Sequence, residues 1–452
     1  MAEPAAFGVI GVVEGFYGRV WSEAEREAFL AGIGGFGLNT YLYAPKHEAA
    51  LGPALLEPLD KAASQRVHRL HHACEERGIR LWAGLHLEPP FDAALPAHRA
   101  ALARKALQLS RIGVTGFAVL FDDLPSAGTA AAGTEDGGRG SLAAAQTHAF
   151  RALQRSLGGR VPGLHWAVCP GRYTLDPALE RQVGAFEPGY LARLHTGLPP
   201  GVPWLWTGPQ VVPATVTGED AQAYLAAAGI APGERPLWLW DNYPVNDGVL
   251  RGKLRLAPLT GRAPDLPQHV QGYLFNPLLQ PHLGVLPGAT CLAYASDPAG
   301  YRPAPAWQAA LHEALPPPLH EAFTELAALT NPADAAGGAG GSGLAASLAV
   351  SGVTGNLPAR LAHAWDSLAR GEPIEPYLVI DFRRVMAQLQ QQLPAPLREE
   401  AMPWMGRLWR ALRLVETSAA GAPQEVLAPL RAEYAEWRED APLPEVLGPW
   451  FP

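Results

Sequence analysis

The sequence predicts an α/β protein, a (β/α)8 barrel followed by a C-terminal α-helical bundle. Two observations carry this. Up to about residue 300, eight short apolar runs alternate with amphipathic stretches of helical period, the pattern of parallel strands each covered by a helix. Beyond residue 305 the strand-like runs stop and only helical patterns remain. Eight strand–helix units in this length fit a closed barrel better than an open doubly wound sheet. No GxGxxG follows the first strand, so a dinucleotide fold lacks its signature.

Taken in order, the strands are FGVIGVVE (7–14), LNTYLYA (38–44), IRLWAGLHL (79–87), GFAVLF (116–121), GLHWAVC (163–169), VPWLW (202–206), RPLWLW (235–240) and VQGYLF (270–275). The first helix, SEAEREAFLAGIGGF, opens with Ser22 as N-cap and Glu25 three positions on, a capping box. Further helices follow in LDKAASQRVHRLHHACEERG, AHRAALARKALQLSRIG, LAAAQTHAFRALQRSLGG and GEDAQAYLAAAGI. The domain boundary falls at 304/305, giving a barrel over 1–304 and a bundle over 305–452. The bundle helices are WQAALHEAL, LHEAFTELAAL, ARLAHAWDSLARG, IEPYLVIDFRRVMAQLQQQL, LREEAMPWMGRLWRALRLVE and EVLAPLRAEYAEWRE. Among them, GGAGGSG lies in a Gly-rich stretch over 333–344. It lacks the Gly-Lys-Ser/Thr of a P-loop and reads as a flexible linker.

Composition narrows the function classes. A net charge of −8 without a basic stripe argues against nucleic acid or anionic membrane as the main partner. Three widely spaced cysteines, Cys74, Cys169 and Cys291, read as reduced thiols rather than a disulfide framework. The N-terminus has no basic n-region, and no apolar run is long enough to span a bilayer, so a cytoplasmic location is expected.

A barrel of this kind places its chemistry on the loops after the strands. The first strand ends in Glu14, Gly15 and Tyr17, the second in Lys46, and the fourth in the adjacent pair Asp122 and Asp123. The fifth leads to Tyr173 and the sixth to Trp206. The seventh leads to Trp240, Asp241, Asn242 and Asp247, and the eighth to Asn276. His86 and Glu88 end the third strand as rim residues. Carboxylates, amides, one lysine and many aromatics suit a neutral polyhydroxylated ligand better than a phosphate, which calls for Arg, Lys or a metal.

Glycosidases commonly use two carboxylates on opposite sides of the sugar. Neighbours in sequence start from almost the same point, which suits a substrate-assisted variant. There the 2-acetamido oxygen attacks the anomeric carbon, one carboxylate orients the acetamido N–H, and the other serves as acid and base. Helix capping and metal ligation are the alternative uses of an Asp pair. Lys46 also fits a surface lysine, Asn242, Asp247 and Asn276 fit loop caps, and Tyr173, Trp206 and Trp240 fit barrel-rim core. His68 and His72 have metal-ligand spacing on one helix, but HExxH is absent and no third ligand is near in sequence, so a solvated face fits them better.

GVVEGFYGRVW, NTYLYAPK, FAVLFDD, LWTGP, WDNYPVND and FNP, in that order, closely resemble family-84 glycoside hydrolases. These β-N-acetylglucosaminidases include protein O-GlcNAcases and some hyaluronidase-like enzymes. The resemblance covers roughly residues 8 to 310, and the C-terminal helices resemble in type the bundle that often follows this barrel. It implies Asp122 as the residue holding the acetamido group and Asp123 as the general acid/base. It also implies Tyr173 steadying the acetamido group, Trp240 walling its pocket, and Asn242 hydrogen-bonding beside the pair. The Gly15 carbonyl and Lys46 would hold the 3-hydroxyl, and Asp247 and Asn276 the 4- and 6-hydroxyls. The implied activity is retaining removal of terminal β-linked GlcNAc from a glycoside or glycoprotein through an oxazoline, without metal or organic cofactor.

Three stretches depart from the family pattern: Arg19-Val20-Trp21 where Arg-Pro-Trp is common, His47-Glu48 where an acidic pair is common, and the Gly/Ala-rich PSAGTAAAGTEDGGRGS after the catalytic pair. They lie where the leaving group would meet the protein. An inactive carbohydrate-binding barrel, a hyaluronidase-like hydrolase, and a scaffold whose bundle mediates homodimer assembly are the alternatives.

Overall fold

Each of the eight apolar runs forms a strand: β1 Val9–Glu14, β2 Thr40–Tyr43, β3 Arg80–His86, β4 Gly116–Leu120, β5 His165–Cys169, β6 Trp204–Trp206, β7 Leu237–Asp241 and β8 Gly272–Phe275. In the computed structural model, which describes residues 7–126, 141–158, 160–161, 163–330, 356–370 and 372–435, they form a closed barrel in sequence order. All eight pairings are parallel. The Gly-rich stretch 333–344 and most of the loop after Asp123 lie outside the described residues.

Side chains alternate between the two faces of a strand, and this decides what each position does. Val13, Leu42, Ala44, Ala118, Leu120, Ala167, Cys169, Leu205, Trp240 and Leu274 belong to one buried cluster inside the barrel. Trp82 and Trp238 meet there edge to face at 5.0 Å. Two glycines make room for them. A Cβ on Gly116 would stand 2.2 Å from the Trp82 ring, and one on Gly272 2.6 Å from Trp238. Such overpacking costs about 1–3 kcal/mol.

The intervening residues face outward onto the helices. The helix Glu23–Ile33 starts with the expected capping box: the Ser22 hydroxyl accepts from Glu25 N, and the Glu25 carboxylate accepts from Ser22 N. Its Phe29, Leu30 and Ile33 are buried. Helices Lys61–Glu75, Pro96–Ile112, Leu142–Leu157 and Gly218–Ala227 follow β2, β3, β4 and β6. Three helices have no counterpart in the sequence reading. Pro177–Val183 and Tyr190–Gly197 are short. In Pro281–Ser296, Leu283, Leu286, Ala289, Leu292 and Tyr294 are all buried, so the one-sided apolar stripe that announces a surface helix is missing.

The chain forms two compact units. The first holds the barrel and comprises the chain up to Tyr243 with Gly261–Pro277 and Leu292–Gly300. The second joins Pro244–Thr260 and Leu278–Cys291 to the chain from Tyr301 onward. Its described helices include Pro303–Ala314, His320–Thr330, Leu357–Ala369, Pro376–Gln392, Ala395–Ala419 and Gln424–Ala435. Within this unit the Trp404 indole donates to Gly252 O at 2.6 Å, and the Glu400 carboxylate accepts from the backbone N–H groups of His282 and Leu283. Among the described residues, no helix is long and apolar enough to cross a membrane.

Candidate active site

β4 sets the central geometry. Gly116, Ala118 and Leu120 point inward, and the same alternation carries Asp122 into the barrel mouth. Asp123 would then point away, but its φ is +60°, the only positive φ on a non-glycine among the described residues. This left-handed turn costs on the order of 1 kcal/mol for a side chain of this kind. It swings the second carboxylate back beside the first, so two adjacent residues serve one pocket.

The surroundings treat the two carboxylates differently. Lys46, from the loop after β2, donates its ammonium to Asp122 Oδ2 and lies 3.8 Å from Asp123 Oδ2. The lysine side chain is 8% exposed. Burial pushes its pKa down, yet Asp122 and Asp123 outweigh that and hold it well above the ordinary lysine value. Asp122 Oδ1 is buried and has no hydrogen-bond partner among the described residues. Asp123 is held at both oxygens: Tyr173 donates to Oδ1 and Tyr17 to Oδ2, each at 2.8 Å. Burial, then the neighbouring Asp123, keeps the Tyr173 phenol protonated far beyond the usual tyrosine range.

On the other side, β1, β7 and β8 build an aromatic and amide wall. Trp240 is buried, and its indole N–H donates to Asn242 Oδ1 at 3.1 Å. Asn276 Nδ2 donates to the same oxygen at 3.1 Å, while Asn276 Oδ1 accepts from Gly15 N at 3.4 Å. A Cβ on Gly15 would stand 2.2 Å from the Trp240 ring, so glycine is required for the ring to lie against the backbone. Gly15, Trp240, Asn242 and Asn276 therefore form one connected wall, and Lys46, Asp122, Asp123 and Tyr173 a connected charged cluster. Asp247 belongs to the second unit, where it precedes the short turn Gly248–Leu250.

Several strand-end residues turn elsewhere. Glu14 and Asp241, which sequence places with the polar mouth, are fully buried on the outer face of the sheet. Arg26 clasps Glu14 through two bonds of 2.8 Å, with Tyr41 adding a third at 2.6 Å. Arg262 and Tyr273 hold Asp241 in the same way. Trp206 also faces outward and stacks on Tyr224 at 5.9 Å. The physical reason is the alternation along the strand, which a list of strand ends ignores. His86 is buried with Nε2 3.1 Å from Ala44 O, and burial, then the Lys46 charge, pushes its pKa down to about 3. Glu88 is partly exposed, and burial raises its pKa.

Tyr17 is the residue that sequence reasoning names without giving a role. Its signal is a hydroxyl-bearing aromatic in a glycine-flanked loop at the barrel mouth, EGFYG. His68 and His72 line a groove of about 520 Å³ between the helices Glu23–Ile33 and Lys61–Glu75, away from the carboxylates. Among the described residues, no three His, Cys, Asp or Glu side chains gather as a metal ion would require.

The family profile described as beta-N-acetylglucosaminidase matches residues 10–328. Protein O-GlcNAcase of Rattus norvegicus is 30% identical over 272 residues, 59% of this chain and 28% of that protein. The Mus musculus protein of the same name is 30% identical over 275 residues, with the same shares covered. The match therefore spans under a third of the length of these relatives. A mutant of the O-GlcNAc hydrolase of Thermobaculum terrenum superposes with a TM-score of 0.78 over 98% of this chain and 94% of that one, at 23% identity, which establishes the shared fold. With over half of its length matched by the profile, the chain belongs to the beta-N-acetylglucosaminidase family, the family-84 glycoside hydrolases.

Proposed function

We propose that this chain is a retaining exo-β-N-acetylglucosaminidase that releases terminal β-linked GlcNAc by substrate-assisted catalysis. The observation that carries the reading is the difference between the two carboxylates. Among the described residues one buried oxygen of Asp122 has no hydrogen-bond partner, and a buried acceptor gains most from a donated hydrogen bond. An acetamido N–H is the group that would satisfy it. Polarised in this way, the acetamido oxygen attacks C1, the bond from C1 to the leaving oxygen breaks, and Asp123 supplies that oxygen with a proton. In the second step Asp123 takes a proton from water, the water oxygen attacks C1, and the oxazoline opens to GlcNAc with its β configuration retained.

The other residues have supporting roles in this reading. Trp240 walls the acetamido methyl, and Tyr173 donates to the acetamido oxygen. Asn242 hydrogen-bonds beside the catalytic pair. The Gly15 carbonyl and Lys46 hold the 3-hydroxyl, and Asn276 contributes to holding the 4- and 6-hydroxyls. The similarity to proteins named Protein O-GlcNAcase favours GlcNAc on a glycoprotein as substrate.

The test is turnover of an aryl β-GlcNAc series whose N-acetyl group carries zero to three fluorines. Each fluorine weakens the acetamido oxygen as a nucleophile, so kcat/KM is expected to fall steeply along the series. A flat response excludes neighbouring-group attack, and absence of any turnover favours a carbohydrate-binding protein.

A further inference from the structure

Tyr17 has no part in the steps above, yet its hydroxyl donates to Asp123 Oδ2 at 2.8 Å while Tyr173 donates to Oδ1 at 2.8 Å. Both oxygens of the residue assigned to proton transfer are therefore occupied by donors. A phenol has a single hydrogen to donate, so a tyrosine that turns to the sugar leaves its oxygen of Asp123. On the proposed reading Tyr173 gains an alternative acceptor, the acetamido oxygen of the bound sugar. We propose that Tyr17 is a positioning residue that stays on Asp123 Oδ2 throughout the cycle, while the seated acetamido group draws Tyr173 off Oδ1. Tyr17 then remains the phenol that holds the orientation of Asp123 while a 2-acetamido sugar is bound. This inference rests on the assignment of Asp123 as acid/base.

The setting of Tyr17 suits a fixed anchor. The Lys46 ammonium lies 5.4 Å from its ring centroid, and the His47 ring meets it edge-on at 6.0 Å. His47 Nδ1 in turn lies 3.0 Å from Gly18 O, tying the loop after β2 to the loop that carries Tyr17. The residue is 39% exposed, so it stands at the mouth with its hydroxyl turned inward. Burial raises the pKa of the phenol, Lys46 lowers it, and Asp123 raises it again, leaving it a protonated donor throughout the working range. The left-handed backbone of Asp123 turns its carboxylate toward the pocket, and the Tyr17 hydroxyl meets it there.

The test compares purified wild-type chain with Tyr17→Phe on aryl β-GlcNAc substrates running from good to poor leaving groups, with rates normalised to folded protein by circular dichroism. The expected result is a loss of kcat/KM of about 10- to 100-fold on poor leaving groups, the worth of one hydrogen bond to a charged group. Good leaving groups, which need little acid assistance, are expected to change less than about threefold, with KM within about twofold throughout. A uniform loss across the series, a change confined to KM, or no loss at all overturns the positioning role. If wild type itself shows no dependence on leaving group and no turnover, the assignment of Asp123 fails instead.

Discussion

Glu14 and Asp241 close β1 and β7 much as Asp122 follows β4, yet the chain uses these carboxylates in opposite ways. Glu14 and Asp241 are wholly buried, and each is clasped by one arginine and one tyrosine hydroxyl, Arg26 with Tyr41 and Arg262 with Tyr273. Asp122 is nearly as buried, but among the described residues one of its oxygens has no partner, and its lysine bonds only the other. The residue type and the place along the strand are almost the same. What differs is the face. An outward carboxylate meets the helices and must be neutralised in place, whereas an inward one at the mouth can wait for a ligand. A buried charge that is fully paired indicates architecture, and one with a single unmet acceptor indicates chemistry.

That contrast is most easily broken at Glu14. Arg26→Met keeps most of the volume of the arginine stem and leaves a carboxylate that is 0% exposed without its cation. Breaking a buried pair in this way costs about 3–5 kcal/mol, measured by urea unfolding, while the surviving folded protein should keep its kcat/KM. If activity per folded molecule fell together with stability, Glu14 would belong to the site and the division by face would be wrong. The complementary change, Asp122→Asn, removes charge from the inward oxygen while preserving shape. It is expected to lower kcat/KM on an aryl β-GlcNAc by about 100- to 1,000-fold and to leave the unfolding midpoint close to wild type. A large loss of stability with modest loss of rate would make Asp122 a structural counterion of Lys46.

The same contrast shows what was legible in sequence. Eight apolar runs and the adjacent Asp pair are strong local signals, and both survive into the structure as a closed barrel and a two-carboxylate mouth. Glu14 and Asp241 mislead because reading off whatever residue ends a strand ignores which face it occupies. A count of two from Val13 reaches Gly15, and a count of two from Trp238 reaches Trp240, so the alternation itself pointed to their neighbours. Tyr17 lies beyond the last residue of β1, where alternation no longer predicts direction, and its bond to Asp123 spans 106 positions of sequence. Asp247 lies past β7, in a segment that packs with the second unit. Long-range pairing of loop residues is the part that no local pattern encodes.

His86 sharpens the comparison, because it is an inward residue at the end of β3 that cannot afford a charge at all. Its Nε2 faces a carbonyl oxygen, that of Ala44 at 3.1 Å, which can only accept, so this nitrogen carries the hydrogen of a neutral ring. Burial, and then the Lys46 ammonium, push its pKa down to about 3. As pH falls from about 6.5, the unfolded chain takes a proton on this histidine and the folded chain does not, so stability declines until about pH 3 and levels off below it. His86→Gln removes this proton linkage. Between pH 6.5 and 5, wild type is expected to lose about 2 kcal/mol more stability than the variant, read as the difference between their urea midpoints at the two pH values. Parallel losses would mean that the folded imidazole accepts a proton despite Lys46. The carboxylates would then shield it from the ammonium, and the two acids and the lysine would act on His86 as one nearly neutral cluster rather than as separate charges.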